Sequence, residues 1–200
     1  MRNVIFDIGG VLLDWSPDAI LESYYVDPPA RAAMKAALFQ HPDWLDLDRG
    51  VLTEDEALQR LERRTEIARP ELDGLFQAIR ASLKPKADTV ALLESLARRQ
   101  VPLYCLSNMS AATFDYLRAR HAFWSAFRGI VISGQIQLMK PERAIFDYLL
   151  QRYGLDPSET IFIDDHAPNV EAAQSLGIHT VLFRDARHCA VELERLLPFN

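Results

Sequence analysis

The stretch VIFDIGGVLLDW, residues 4–15, decides the fold class. A short apolar run ends at a single acid, Asp7, and the pair Gly9 and Gly10 follows almost at once. This pattern is typical of a buried parallel strand that carries one carboxylate at its C-terminal end and then turns sharply. Because open α/β sheets bind their ligands at that edge, Asp7 is the first candidate for chemistry.

Further apolar runs predict four more strands, at residues 102–107, 130–133, 160–164 and 179–183. These runs are rich in β-branched and aromatic residues and lack strict alternation, as is usual for strands buried on both faces. Helical segments lie between them. Pro168 and Gly177 bracket one, and we expect Pro141 and Gly154 to bracket another. The alternation predicts an α/β, Rossmann-like parallel sheet of about five strands with helices on both faces.

The segment from residue 17 to residue 86 breaks this alternation, because it shows helical periodicity and no convincing strand. Thr53 and Glu56 carry the signature of a capping box at the start of one helix. Breaks at residues 28–29, 41–42, 50 and 69–70 divide the segment into about four helices. We therefore predict a Rossmann-like core, residues 1–16 and 87–200, with an inserted four-helix cap at residues 17–86.

Composition and charge exclude several classes of protein. The 200 residues are 49% apolar and 25% charged, with a net charge of −6. Since no Lys/Arg-rich run occurs, a nucleic-acid partner is not expected. No apolar stretch approaches the roughly 20 residues of a membrane span, and no signal peptide is expected. With only two cysteines, Cys105 and Cys189, and no metal-ligand spacing between them, we expect a cytoplasmic protein without a membrane partner.

Polar residues follow the predicted strands at the edge where ligands bind. The set consists of Asp7 after the first strand, Ser107 and Asn108 at the second, Lys140 beyond the third, and Asp164 and Asp165 at the fourth. Phosphoryl transfer through an aspartyl intermediate requires such a set. An aspartate with the ordinary pKa of about 3.9 is ionised at neutral pH and needs no base to act as a nucleophile. A hard divalent cation held by the three carboxylates would offset repulsion from the phosphate, and the lysine and the serine would bind its oxygens.

Four motifs in this order resemble the haloacid dehalogenase-like (HAD) hydrolases, in the subclass with a helical cap after the first motif. The motifs are FDIGGVLLDW at residues 6–15, LSN at 106–108, KP at 140–141 and FIDDHAPNV at 162–170. The resemblance covers essentially the whole chain. The chain start and the Arg49–Gly50 turn look most like bacterial sugar-phosphate phosphatases that act on glucose-1-phosphate-like esters.

The resemblance also implies a role for each site residue. Asp7 would be the catalytic nucleophile, and Lys140 and Ser107, with Asn108 beside it, would bind the phosphate of the substrate. The implied Mg²⁺ ligands are the carboxylates of Asp7, Asp164 and Asp165 and the backbone carbonyl of Gly9.

Gly9 departs from the family pattern. Most phosphatases of the family carry a second aspartate there, which acts as general acid and base, and losing such a group costs about 10²–10⁴ in rate. Either the glycine serves the tight turn, or the substrate has a good leaving group such as the anomeric oxygen of a sugar 1-phosphate. We favour the second interpretation. His166 could supply a substitute acid, but we interpret it as an exposed loop residue.

The sequence thus predicts a Mg²⁺-dependent phosphatase that acts on a small phosphate monoester. One alternative is a 2-haloacid dehalogenase, which would use Asp7 without a metal, but the acid pair Asp164 and Asp165 has no purpose in that reaction. Another is a weakly active binding protein of the same fold, against which the retained set of polar residues argues. In the cap, we expect Trp44 to pack within the helices and Arg49 to brace the turn before Gly50.

Overall fold

The computed structural model describes residues 2–197 and contains a five-stranded parallel sheet. Its strands are β1 (Asn3–Phe6), β2 (Leu103–Ser107), β3 (Gly129–Ile132), β4 (Thr160–Asp164) and β5 (His179–Leu182). Their order across the sheet is β3-β2-β1-β4-β5, which places β1 at the centre between β2 and β4. The predicted α/β, Rossmann-like fold is confirmed.

Helices cover both faces of this sheet. They are α6 (Ala87–Arg98), α7 (Ala111–Arg118), α8 (Ser133–Ile136), α9 (Arg143–Tyr153), α10 (Ala167–Ser175) and α11 (Ala186–Leu196). Side chains of β1 alternate between two hydrophobic clusters: Val4 and Phe6 pack in one, with Leu193 of α11, and Ile5 packs in the other, with Phe146 of α9. This two-sided burial explains why the strands are continuously apolar.

The segment between β1 and α6 is entirely helical. It contains α1 (Pro17–Tyr24), α2 (Pro28–Ala37), α3 (Pro42–Arg49), α4 (Glu54–Thr65) and α5 (Arg69–Ser82), and the four predicted breaks separate these helices. The predicted capping box is present at the start of α4, where Thr53 and Glu56 bond each other's backbone N–H. The helices enclose a hydrophobic cluster of their own, which includes Leu61 and Leu72. We interpret residues 17–86 as the predicted cap, with five helices where about four were predicted, because each of the four breaks separates two helices.

The helix predicted to begin at Pro141 begins later, so that prediction was wrong. Residues 139–142 form a turn instead, closed by a hydrogen bond of 3.0 Å from the Glu142 N–H to the Met139 carbonyl, and α9 starts at Arg143. The Lys140–Pro141 peptide bond is cis. The turn carries Lys140 to the edge of the sheet. Within residues 2–197, none of the helices combines the length and apolarity needed to cross a bilayer.

Candidate active site

Three neighbouring strands deliver polar side chains to one edge of the sheet. Asp7 directly follows β1, Ser107 ends β2 and Asp164 ends β4. Since β1 lies between the other two and all three run parallel, their C-terminal ends lie side by side. All three side chains are buried, as is that of Lys140. The structure therefore brings together the strand-end residues that the sequence singled out.

Lys140 connects two of the carboxylates. Its Nζ lies 2.9 Å from Oδ1 of Asp7 and 2.6 Å from Oδ2 of Asp164. Asn108 fixes the lysine backbone, because its Oδ1 accepts from the Lys140 N–H (2.8 Å) and its Nδ2 donates to the Lys140 carbonyl (2.9 Å). The side chain of Asn108 was predicted to bind substrate. In the structure, both its amide oxygen and its amide nitrogen bond to the backbone of Lys140.

The loop after β4 holds Asp164 in place. The backbone N–H of His166 donates to its Oδ1 at 2.8 Å, and Nδ2 of Asn169 lies 3.1 Å from Oδ1 and 3.0 Å from Oδ2. Asn169 is itself buried. Since these donors fix the carboxylate plane, Asn169 positions the side chain of Asp164.

The carboxylates of Asp7, Asp164 and Asp165 form a cluster that suits a divalent cation. Each offers an oxygen, and these oxygens lie within 4.8 Å of one another. Oxygen-only donor sets are those that Mg²⁺ prefers. The buried ammonium of Lys140 offsets one of the three negative charges, and Lys86, whose Nζ donates to the Gly10 carbonyl at 2.5 Å, lies nearby. The residues present therefore fit the implied metal.

Burial changes the acidity of the cluster. It raises the pKa of Asp7 to about 7, an effect that Lys140 opposes and Asp164 reinforces. Burial likewise raises the pKa of Asp165, and Asp164 adds to this. Burial disfavours the charged form of Lys140, but the two carboxylates beside it outweigh that effect and raise its pKa. The ionisation of Asp7 thus depends on neighbouring positive charge, which the expectation of an ordinary pKa did not include.

Gly9 and Gly10 differ in what they require of the backbone. Gly10 has φ +75°, a left-handed conformation that favours glycine, and a Cβ at this position would lie 2.0 Å from Oδ2 of Asp165. Gly9 is outside the left-handed region, and a Cβ there would make an ordinary contact of 3.7 Å with Cβ of Trp15. The turn therefore explains Gly10 but does not explain the missing aspartate at position 9.

A cavity of about 290 Å³ opens from the carboxylate cluster toward the cap. Its core side includes Asp7, Gly9, Ser107, Lys140 and Asp165, together with Asn108, His166 and Asn169. Its cap side consists of Trp44, Leu47, Asp48, Phe76, Ile79 and Leu83. The cap residues thus cover the site, and Trp44 lines the cavity in addition to packing within the cap.

Asp48 is a cavity residue that the sequence analysis missed. Burial raises the pKa of its carboxyl to about 7, although hydrogen bonds from the backbone N–H of Ser110 and the indole N–H of Trp44 lower this pKa. One signal was available: Trp44, Leu47 and Asp48 are spaced i, i+3 and i+4, so they share a face of α3. Nothing in residue type alone separates Asp48 from the other aspartates of that helix.

The end of α3 joins the cap to the core. Arg49 forms an ion pair with Glu142, in which its Nη1 lies 2.9 Å from Oε2. Oγ of Ser133 donates to the backbone carbonyl of Asp48, and Nε2 of Gln137 donates to that of Gly50 at 3.3 Å. These contacts fix the distance between the cap wall of the cavity and the sheet edge.

Comparisons with known proteins agree with this geometry. A family model for haloacid dehalogenase-like hydrolases matches residues 1–177. A sesquiterpene phosphatase of Aspergillus oryzae is 29% identical over 98% of this chain and 96% of its own. A D-ribitol-5-phosphate phosphatase of Bacteroides thetaiotaomicron is 25% identical over 90% of both chains.

A solved structure shows the same fold. It is a HAD family enzyme of Bacteroides thetaiotaomicron in complex with magnesium and inorganic phosphate, with a TM-score of 0.76, 24% identity, and coverage of 92% of this chain and 94% of that one. The family match covers most of the chain and contains all four motifs. The chain therefore belongs to the haloacid dehalogenase-like hydrolases.

Proposed function

We propose that this hydrolase is a Mg²⁺-dependent phosphatase that cleaves a small phosphate monoester through an aspartyl-phosphate on Asp7. One observation carries the proposal: the oxygens of Asp7, Asp164 and Asp165 lie within 4.8 Å of one another, and Lys140 bridges the first two. A nucleophile, a set of hard-metal ligands and a fixed positive charge thus meet at one cavity. Both phosphatase relatives support the reaction class.

Asp7 would act as the nucleophile. The Lys140 ammonium and the Ile8 N–H both bind its Oδ1, at 2.9 and 2.6 Å, so we assign Oδ2 as the attacking oxygen. Attack forms a bond from this oxygen to phosphorus and breaks the bond to the ester oxygen, which leaves as an alkoxide and takes up a proton. Water then attacks the phosphorus, which returns the Asp7 carboxylate and releases inorganic phosphate and a proton.

The other site residues would hold charge during these steps. Lys140 would remain protonated, because the two carboxylates raise its pKa, and would bind a phosphate oxygen together with the hydroxyl of Ser107. Asp7, Asp164, Asp165 and the Gly9 carbonyl would hold Mg²⁺, which when bound neutralises negative charge on the phosphate.

Two kinds of leaving group have support. The sequence predicts a sugar-phosphate-like ester, and the D-ribitol-5-phosphate phosphatase supports a polyol phosphate. The sesquiterpene phosphatase supports an apolar alcohol instead. We also propose the cytoplasmic location predicted from the sequence, which the two free, buried cysteines support.

The experiment is a screen of phosphorylated metabolites with and without Mg²⁺, in which phosphate release is measured for the native protein, Asp7→Asn and Asp115→Asn. Asp115 is exposed on α7 and does not line the cavity, so its variant controls for the loss of one carboxylate. We expect Mg²⁺-dependent release that only Asp7→Asn abolishes. Beryllium fluoride, which mimics an aspartyl-phosphate, should bind the native protein and not Asp7→Asn.

Two results would contradict the proposal. Metal-independent release of halide from a 2-haloacid would show the dehalogenase alternative. Absence of both turnover and the beryllium fluoride adduct would show a binding protein that has kept only the fold.

A further inference from the structure

The cavity has two chemically distinct halves. The core half contains Asp7, Asp165, Ser107 and Lys140 and is mostly polar, with Met109 as an apolar member. Five of the six cap residues that line the other half are apolar: Trp44, Leu47, Phe76, Ile79 and Leu83. A phosphate bound at the core would thus place its alcohol against apolar side chains.

Aromatic rings form a continuous surface on the apolar half. The rings of Trp15 and Trp44 stack with centroids 5.9 Å apart and an angle of 19° between their planes. Trp44 in turn packs on Phe76 at 6.4 Å. Trp15 belongs to the loop after β1 and is 36% exposed. Trp44 and Phe76 belong to the cap. This surface therefore spans the boundary between core and cap.

Among the described residues of the cap, Asp48 is the one polar side chain that lines the cavity. Its carboxyl faces the backbone N–H of Ser110 and the indole N–H of Trp44, and burial raises its pKa to about 7. A carboxyl that stays largely protonated below neutral pH and already faces two donors is a poor partner for several hydroxyl groups. The hydroxyls of Ser110 and Thr113 also line the cavity, but they bond each other at 3.0 Å. A sugar buried against the five apolar side chains would leave hydroxyls without partners there, and each unpaired group is costly.

We infer that the cap half of the cavity is an apolar subsite for the leaving group, so that the enzyme prefers phosphate monoesters of apolar alcohols to those of sugars or polyols. This inference rests on the proposed phosphatase function and names its substrate class. Trp44 and Phe76 are the specificity-determining residues. Transfer of the alcohol from water to this surface supplies the preference, since burial of apolar area is favourable.

The test compares n-alkyl phosphates from ethyl to pentyl, whose leaving groups have nearly the same acidity. Hydrolysis is measured as kcat/KM with saturating Mg²⁺. We expect a rise of about fourfold per methylene, equivalent to about 0.8 kcal/mol, until the alcohol fills the cavity, and values for glucose 1-phosphate and ribitol 5-phosphate below that for pentyl phosphate. A flat series, or faster hydrolysis of the polyol phosphate, would overturn the inference.

Trp44→Ala should flatten the series by removing the centre of the aromatic surface. Leu45→Ala is the matched control, because Leu45 is the next residue on α3, is 55% exposed and does not line the cavity. It should keep the native chain-length dependence. Circular dichroism melting curves identify a variant that fails to fold, and the native series stands without either variant.

A binding experiment separates this inference from the phosphatase proposal. Alkylphosphonates, which are not hydrolysed, are titrated into the native protein with Mg²⁺. The fluorescence of Trp15 and Trp44 reports binding, and Trp124, which does not line the cavity, gives a constant background. Affinity should rise with chain length whether or not any ester is turned over. Turnover without length-dependent binding would refute the apolar subsite alone, and length-dependent binding without turnover would refute the phosphatase alone.

Discussion

A Cβ atom at Gly10 would lie 2.0 Å from Oδ2 of Asp165. The backbone of the loop after β1 therefore passes directly against one of the three clustered carboxylates. This closeness places Asp165 beside Asp7 and makes the second glycine of the GG pair part of the proposed metal site. It also separates the role of Gly10 from that of Gly9, where a Cβ would meet only Trp15 at 3.7 Å.

Gly10→Ala should therefore weaken Mg²⁺ binding more than Gly9→Ala does. The added methyl displaces Asp165 and forces alanine into φ +75°, and displaced supporting groups cost metal sites about 10–100-fold in affinity. Calorimetric titration of Mg²⁺ into each variant measures the difference. Equal affinities would show that Asp165 is not a ligand.

Lys140→Met should destabilise the protein in the absence of divalent ions. The substitution leaves Asp7 and Asp164 buried without the ammonium that lies 2.9 and 2.6 Å from them, and removing one partner of a buried pair costs about 3–5 kcal/mol. Urea unfolding with EDTA gives the loss in free energy. Adding Asp7→Asn to Lys140→Met should recover part of it, because one uncompensated charge disappears, and Mg²⁺ should recover part in the single variant. Neither recovery would be seen if the loss came from packing alone.

Gly9→Asp should create the acid that most family phosphatases carry at this position. The backbone permits the change, since Gly9 is outside the left-handed region and its Cβ would make an ordinary contact. A positioned general acid contributes about 10²–10⁴ in rate, and this gain should appear only with poor leaving groups. Rates for esters of alcohols with graded pKa values measure it: the slope of log kcat against leaving-group pKa should become shallower than in the native enzyme. An unchanged slope would mean that the leaving group already receives its proton from another residue.

The strand ends were predictable from the sequence because each strand follows a simple rule. An apolar run that stops at a polar residue marks the carboxyl edge of a parallel sheet, and this rule located Asp7, Ser107 and Asp164. Lys140 was located by its motif, although the turn that carries it was mistaken for a helix start. Its partner Asn108 was assigned to substrate because a strand-end position does not show where a side-chain amide points.

The cap wall could not be predicted in the same way. Its composition depends on how five helices pack over the sheet, and helical periodicity gives the buried face of each helix but not the neighbour it meets. Trp44 therefore looked like cap packing alone. Asp48 was missed because its ionisation state depends on burial against the core and on the backbone N–H of Ser110, which are tertiary contacts. Only its contact with the indole of Trp44 lies within α3.

Asp48→Asn should change how stability depends on pH. Burial raises the pKa of this carboxyl in the folded protein from 3.8 to about 7, so between these values the folded state keeps a proton that the unfolded state releases. Raising the pH through this window therefore lowers the free energy of unfolding. The upper limit is about 4 kcal/mol, and the actual change is smaller because water reaches the half-buried side chain. Asn stays neutral, so the variant should lose this slope and exceed the native protein in stability above pH 7. Urea unfolding at pH 4 to 8 with saturating Mg²⁺ measures the slope and the stability above pH 7. Asp46→Asn, on the same helix but outside the cavity lining, is the control. Parallel native and Asp48→Asn curves would show that Asp48 is ionised throughout this range of pH.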